Sequence, residues 1–448
     1  MLEPIEESEL TLESPELPET EQEKPRLPFT LTHVGIVLFM IAYYVRPTDW
    51  IPGAQTVPLA KITAGLAILG FLVTLLANFG AVIKEIRQSK VLVGLLILYF
   101  YTWFTVPFAY WRGGSFEIVS SVFSEVIVIA GLIYLSTTTT SRLKRILTIS
   151  ILTAVVMSVL AVRSFNTLGA AADESTRVTG ALGNVFSNPN DLALNVVILL
   201  PFCVILGLLK RGIPRLFWFI CSAIMVGGIL VSYSRAGFLA LLITVVVLCI
   251  DLGLKSRVLI ILPLVLAVAL GAVMFLPSTF GDRISTIVNP AKDQTGSAQA
   301  RGELLRESLY VTARHPLLGI GPGNFDSVSG SWHGTHNIFT QLSSEAGIPA
   351  LLIFLWTLRW TFRGLKQAMA SSKNNREMTL LLIGSRASMV ALIVSTFFYH
   401  AAFQFFTYFP IAYAAALFEM SKHIQAEVVE PATEEVAVND FYGLESER

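Results

Sequence analysis

KRGIPRLFWFICSAIMVGGILVSYSRAGFLALLITVVVLCIDLGLKSR, residues 210–257, holds two apolar runs, Leu216 to Ser232 and Ala236 to Leu252. Lys210, Arg211 and Arg215 stand before them, Arg235 between them, and Lys255 and Arg257 after them. An apolar helix of about 20 residues rises about 1.5 Å per residue and so crosses a hydrocarbon layer of about 30 Å. Two such helices in succession put Arg215, Arg235 and Lys255 on alternating faces of a membrane. Short loops rich in Lys and Arg stay on the cytoplasmic side. Arg235 is therefore expected outside.

The same alternation runs outward in both directions. Basic clusters stand at Lys84, Arg87 and Lys90, at Arg142, Lys144 and Arg145, and at Arg363, Lys366, Lys373 and Arg376. Further apolar runs are Phe29 to Val45, Pro58 to Phe79, Val91 to Tyr110, Ile118 to Leu135, Ile146 to Val162, Leu192 to Leu209, Val258 to Leu276, Ile348 to Trp360, Met378 to Phe398 and Phe403 to Phe418. The pattern predicts an all-α, polytopic membrane protein of about twelve transmembrane helices with both termini cytoplasmic. Composition agrees: 54% of residues are hydrophobic and 14% charged, with a mean hydropathy of +0.65, values foreign to a water-soluble domain. The zero net charge hides a division, because glutamates crowd both ends and leave the membrane portion basic.

The expected domains are an acidic disordered tail over 1–28, a membrane domain over 29–420 and a second acidic disordered tail over 421–448. Acidic residues precede the first apolar run where a secretory signal is positive, so that helix is expected to remain in the mature protein. Two outer connections are long, residues 163–191 and 277–345, and loops of this length are more often functional than idle. The second contains a helix-forming stretch, Ser297 to Ala313, with Ser297 as N-cap, Leu304, Leu305, Leu309 and Val311 on one side, and Arg314-His-Pro316 as a stop. It is expected to lie along the membrane surface.

Several chemistries have no residues to support them. There is no GxxxxGK[ST], no HExxH and no CxxC. Cys203, Cys221 and Cys249 all fall inside apolar runs and read as buried small hydrophobes. Gly319-Ile-Gly-Pro-Gly323 follows no strand and reads as a tight turn. No metal, cofactor or nucleic acid is expected.

The polar residues on the outer face point elsewhere. Arg235, in Val231-Ser-Tyr-Ser-Arg-Ala-Gly-Phe238, sits between two membrane runs, where an ionisable group is a functional candidate; snorkelling to outer headgroups is the alternative. Arg177 lies in Ser175-Thr-Arg-Val-Thr-Gly-Ala-Leu-Gly-Asn-Val-Phe-Ser-Asn-Pro-Asn-Asp191, in which Asn188, Asn190 and Asp191 have an ordinary role as turn and cap residues. Arg301 stands near the start of the surface helix. Three arginines on one face suit a diphosphate, which guanidinium groups grip through paired hydrogen bonds. Of the six histidines, His315, His333, His336 and His400 fall on the outer side. His336 stands where the long loop returns to the membrane. An imidazole there is a cap, a satisfied hydrogen-bonder, or a base matched in pKa to a hydroxyl proton near neutral pH.

Ser234-Arg-Ala-Gly237, Arg301-Gly-Glu-Leu-Leu305, His315-Pro-Leu-Leu-Gly-Ile-Gly-Pro-Gly-Asn-Phe325, His336-Asn-Ile-Phe339 and Glu345-Ala-Gly-Ile348, in this order, resemble the O-antigen ligase and polymerase superfamily. The Arg177 segment with Asn188-Pro-Asn190 is similar to that family's first outer loop. The resemblance implies a glycosyltransferase-C-like membrane fold in a bacterial inner membrane, acting on the periplasmic side in lipopolysaccharide or exopolysaccharide synthesis. It implies a glycan donor on undecaprenyl diphosphate and a lipid, glycan or protein acceptor. Arg177, Arg235 and Arg301 would hold the diphosphate, and His336 would activate the acceptor hydroxyl.

A sugar carbon bonded to diphosphate already carries a good leaving group, so neither ATP nor a metal is needed. Direct attack inverts that carbon. A polymerase differs from a ligase only in its acceptor. A lipid-linked-oligosaccharide flippase is the rival from another class, although transporters collect ionisable residues at the membrane midplane and this chain collects them at the outer boundary.

Overall fold

The computed structural model describes residues 29–168, 189–254, 297–330 and 334–441, apart from 52 and 55. Arg177, His333, the run Val258 to Leu276, the acidic segment 1–28 and the middle of both long loops lie outside the described residues.

All regular structure among the described residues is helical. The helices are α1 (Thr30–Met40, continued by a π turn Ile41–Val45), α2 (Pro47–Trp50), α3 (Leu59–Ala77), α4 (Phe79–Gln88), α5 (Lys90–Thr105), α6 (Arg112–Glu117) and α7 (Ser124–Ser136). They are followed by α8 (Thr140–Leu168), α9 (Pro189–Leu208), α10 (Ile213–Val231) and α11 (Arg235–Asp251). Beyond the second gap come α12 (Ser297–Arg314), α13 (Phe325–Ser329), α14 (Ile338–Glu345), α15 (Gly347–Ser371), α16 (Arg376–Thr396) and α17 (Phe405–Phe441).

Among the described residues, seven stretches are long and apolar enough to cross a membrane: Leu59–Ala77, Lys90–Phe108, Arg112–Ser136, Thr140–Ser164, Pro189–Leu208, Ile213–Val231 and Arg376–Thr396. The twelve runs expected from hydropathy include Val258 to Leu276, which lies outside the described residues. Thr30–Val45 is apolar but shorter. α11 has 17 residues, and the second half of α15 carries Arg359, Arg363 and Lys366.

Inside lipid every backbone polar group must be satisfied within its own segment, which is why the apolar runs are helices. Burial of apolar surface does not drive such helices together, so close backbone approach takes its place. Gly35 of α1 lies directly on the backbone of Ala67 in α3, and Gly228 of α10 lies on Ser158 of α8. Any side chain at either position would push the helices apart. α9 is the central helix, buried along nearly all of its length and packed by α8, α10, α11 and α16.

The basic clusters gather at one end of this bundle. Lys144 Nζ, in α8, is 2.8 Å from Glu377 Oε1, in α16. The Arg376 guanidinium donates to the carbonyl oxygen of Leu208, the last residue of α9, at 2.8 Å. Arg142 reaches Ser136 O, Thr138 Oγ1 and Thr30 Oγ1 at 3.0 to 3.1 Å, tying the start of α1 to the turn between α7 and α8. The starts of α9 and α11 and the ends of α8, α10 and α16 consequently face the other way, toward the polar residues of the loops.

Three expectations are corrected. The helix begins at Ser297 itself and its buried stripe is Leu304, Ser308 and Val311, while Leu305 and Leu309 are 40% and 53% exposed. Residues 163–168 and 189–191, assigned to the first long loop, are helical turns of α8 and α9. α17 continues to Phe441, so most of the acidic segment after 421 is helix, which its Ala and Glu content supports.

Candidate functional site

Arg235 is the first residue of α11, and the turn before it is built by three residues. Ser232 Oγ accepts from Ser234 N–H at 3.2 Å. Tyr233 takes a left-handed conformation, φ +53°. Ser234 caps the helix, its Oγ accepting from Gly237 N–H at 3.2 Å. A serine N-cap contributes about 1 kcal/mol and leaves the remaining first-turn N–H groups pointing outward, where they favour anions. Ser234 Oγ also donates to Asn190 Oδ1 at 2.9 Å, in the first turn of α9. The end of the first long loop and the Arg235 turn are thus one structure.

Asp191, beside Asn190, is 7% exposed and turns inward. Its carboxylate neighbours the Tyr399 hydroxyl, which also neighbours Gln404. Tyr399 and His400 lie in the connection between α16 and α17, with ring centroids 4.9 Å apart. The His400 ring meets the His336 ring at 5.1 Å between centroids and 78° between planes. Asn190 and Asp191 therefore connect in one direction to the Arg235 helix and in the other, through Tyr399 and His400, to His336.

His336 itself is held in a left-handed conformation, φ +51°. This costs an L-residue roughly 1–2 kcal/mol and persists where flanking contacts fix it. Asn337 is the N-cap of α14, its Oδ1 accepting from Phe339 N–H at 2.8 Å and Thr340 N–H at 3.1 Å. Thr335 Oγ1 donates to Asn337 O at 3.0 Å. The capping role that the sequence left open for His336 belongs to its neighbour.

The support for α14 is the glycine turn. Gly319, Gly321 and Gly323 all have positive φ, +67°, +100° and +72°, as a turn needing residues without Cβ requires. Ile320 N–H donates to Ser344 O and Gly321 N–H to Glu345 O. Gly323 N–H donates to Glu345 Oε2 at 2.9 Å. Glu345 is 3% exposed; burial pushes its carboxyl up to about 8, partly opposed by hydrogen bonds from the Gly323 and Phe325 N–H groups and from Gln341.

Arg301 is half-buried on α12, on the side of Leu304 and Ser308. Thr312 Oγ1 and Ser343 Oγ lie 2.9 Å apart, and Ile348 N–H donates to Pro316 O at 2.7 Å. α12 therefore packs against α14. His315, exposed at the other end of α12, stands apart.

Asp191, Tyr399 and His400 are the residues that sequence reading missed. By sequence Asp191 reads as a cap residue, and His400 carries no signal beyond its expected outer placement. Among the described residues no group of three or more His, Cys, Asp or Glu is arranged to hold a metal ion.

Residues 220–355 match the family model described as O-Antigen ligase. The match begins within α10 and ends within α15, taking in Arg235, Arg301 and His336 and stopping short of Tyr399 and His400. It supports the resemblance to the O-antigen ligase and polymerase superfamily over the segment that carries most of the site. No curated protein matches the chain.

Proposed function

We propose that this relative of the O-antigen ligases and polymerases is a membrane glycosyltransferase. It moves a glycan from undecaprenyl diphosphate to an acceptor hydroxyl on the periplasmic face of a bacterial inner membrane. The observation that carries the reading is the junction at Asn190 and Asp191, which links the Arg235 helix to the His336 loop across three parts of the sequence. The gathering of Arg142, Lys144 and Arg376 at the opposite end supports a cytoplasmic placement of that end, and hence a periplasmic site.

In this mechanism Arg235, with Arg301 and Arg177, holds the diphosphate, and the start of α11 adds its N–H groups. His336 takes the proton of the acceptor hydroxyl as its oxygen bonds to the anomeric carbon. The bond from that carbon to the diphosphate oxygen breaks and its electron pair leaves with the carrier, where the arginines stabilise the charge. One displacement inverts the carbon. Neither nucleotide nor metal enters the balance, and membrane lipid is the solvent for the donor's polyprenyl chain.

A ligase passes the finished glycan to lipid or protein; a polymerase passes it to another carrier-linked unit. The test is transfer by the purified protein, given carrier-linked glycan extracted from a strain lacking this gene, in EDTA and without nucleotide. Transfer under those conditions is expected. A strict requirement for ATP or metal overturns the mechanism, and movement of intact donor across the bilayer without transfer favours a flippase.

A further inference from the structure

His400 is fixed more firmly than a residue in a helix connection requires. Its ring lies against the backbone of Gly334, where a Cβ would stand 2.7 Å from Cγ and Cδ2 and 2.9 Å from Nδ1. Only glycine lets the long loop come this close. Tyr399 packs beside the ring and itself neighbours the Asp191 carboxylate. The following backbone is pinned three times. Ala402 N–H donates to Gln341 Oε1 at 3.0 Å, Thr407 Oγ1 donates to Ala401 O at 2.7 Å, and Tyr408 OH donates to Ala402 O at 2.6 Å. Gln341 belongs to α14, the helix that His336 precedes. The two imidazoles therefore have a common support on α14, and they cross at 78°.

An imidazole acting as base must present one nitrogen along one direction. Its χ2 torsion is broad and roughly two-fold, so the ring needs a neighbour to hold it. We propose that His400 is a positioning residue: its ring, wedged between Gly334 and Tyr399, walls the His336 imidazole and fixes the angle at which that base meets the acceptor. This rests on His336 being the base. Loss of the wall leaves donor binding intact and slows the chemical step, because misplacement by about 1 Å costs up to about a hundredfold in rate.

The test compares His400→Ala, His400→Phe and His336→Asn in membranes of a strain lacking the gene, at matched protein abundance. Transfer rates are measured over a range of carrier-linked glycan extracted from that strain. His400→Ala is expected to lower kcat about tenfold to a hundredfold with donor KM unchanged. His400→Phe, which keeps a planar ring but no exchangeable proton, is expected to recover kcat to within about threefold of wild type. If His400→Ala fails to accumulate, His400→Leu fills the volume without a planar edge and carries the same expectation. Wild-type kcat in the Ala or Leu variant overturns the proposal. So does a Phe variant as slow as Ala, which makes His400 a proton carrier, and so does a rise in KM alone, which makes it a substrate contact. Transfer by His336→Asn at the wild-type rate refutes the underlying assignment of the base, a separate outcome from any of these.

Discussion

Ser234 donates a hydrogen bond to Asn190 across 2.9 Å, joining the N-cap of the Arg235 helix to the first turn of the central helix α9. The bond fixes Arg235 relative to Asp191, the next residue along α9. Asn190→Ala removes the acceptor, leaving the serine its capping bond to Gly237 N–H. The expected outcome is a stability loss of about 1 kcal/mol and a larger fall in transfer than in abundance, measured by immunoblot and glycan profile. Equal falls in both would reduce the contact to a fold support.

Arg235→Lys is expected to be nearly as damaging as Arg235→Ala, because lysine keeps the charge and loses the planar paired donors. Donor KM in isolated membranes is the measurement. Full activity of the lysine variant would leave only a snorkelling arginine.

His336→Asn separates chemistry from conformation. Asparagine tolerates the left-handed backbone at φ +51°, so the variant is expected to reach normal abundance. Transfer is expected to fall about a hundredfold to ten-thousandfold, the usual cost of losing a general base. Retention of more than a tenth of the wild-type rate would remove His336 from the reaction.

Burial places the Glu345 carboxyl at about 8 in the folded protein, against an ordinary 4.5. The folded state then binds more protons than the unfolded state between those values, so stability falls as pH rises through that window. Glu345→Gln keeps the shape and an acceptor while abolishing the titration. Thermal unfolding in detergent from pH 5 to 8 is expected to show a decline in wild type and a flatter line in the variant. Parallel slopes would place the pH dependence elsewhere.

Ser327 and Ser141 are exposed and lie near opposite ends of the bundle. In a background without Cys203, Cys221 and Cys249, Ser327→Cys is expected to react with an impermeant thiol reagent in spheroplasts and Ser141→Cys only after lysis. The reverse pattern would invert the topology and place the site in the cytoplasm.

Hydropathy and charge alternation by themselves determined that the chain is helical and membrane-spanning, and that its basic clusters gather at one end. Both follow from local rules: apolar length must match the membrane, and basic loops stay on one side. The glycine turn was legible for the same reason, since three closely spaced glycines around a proline leave few other conformations. The tertiary structure decided the rest. Asp191 reads locally as a cap residue, and only the packing of α9 against the α16–α17 connection turns it toward Tyr399. His400 reads as one more outer histidine until the fold lays Gly334 against its ring. Leu305 and Leu309 fit an apolar stripe by spacing, yet it is Leu304 and Val311 that cluster with Ile320 of the glycine turn and Phe325 of α13. Spacing defines faces on an isolated helix; which face meets a partner depends on where distant segments dock, and no local pattern carries that.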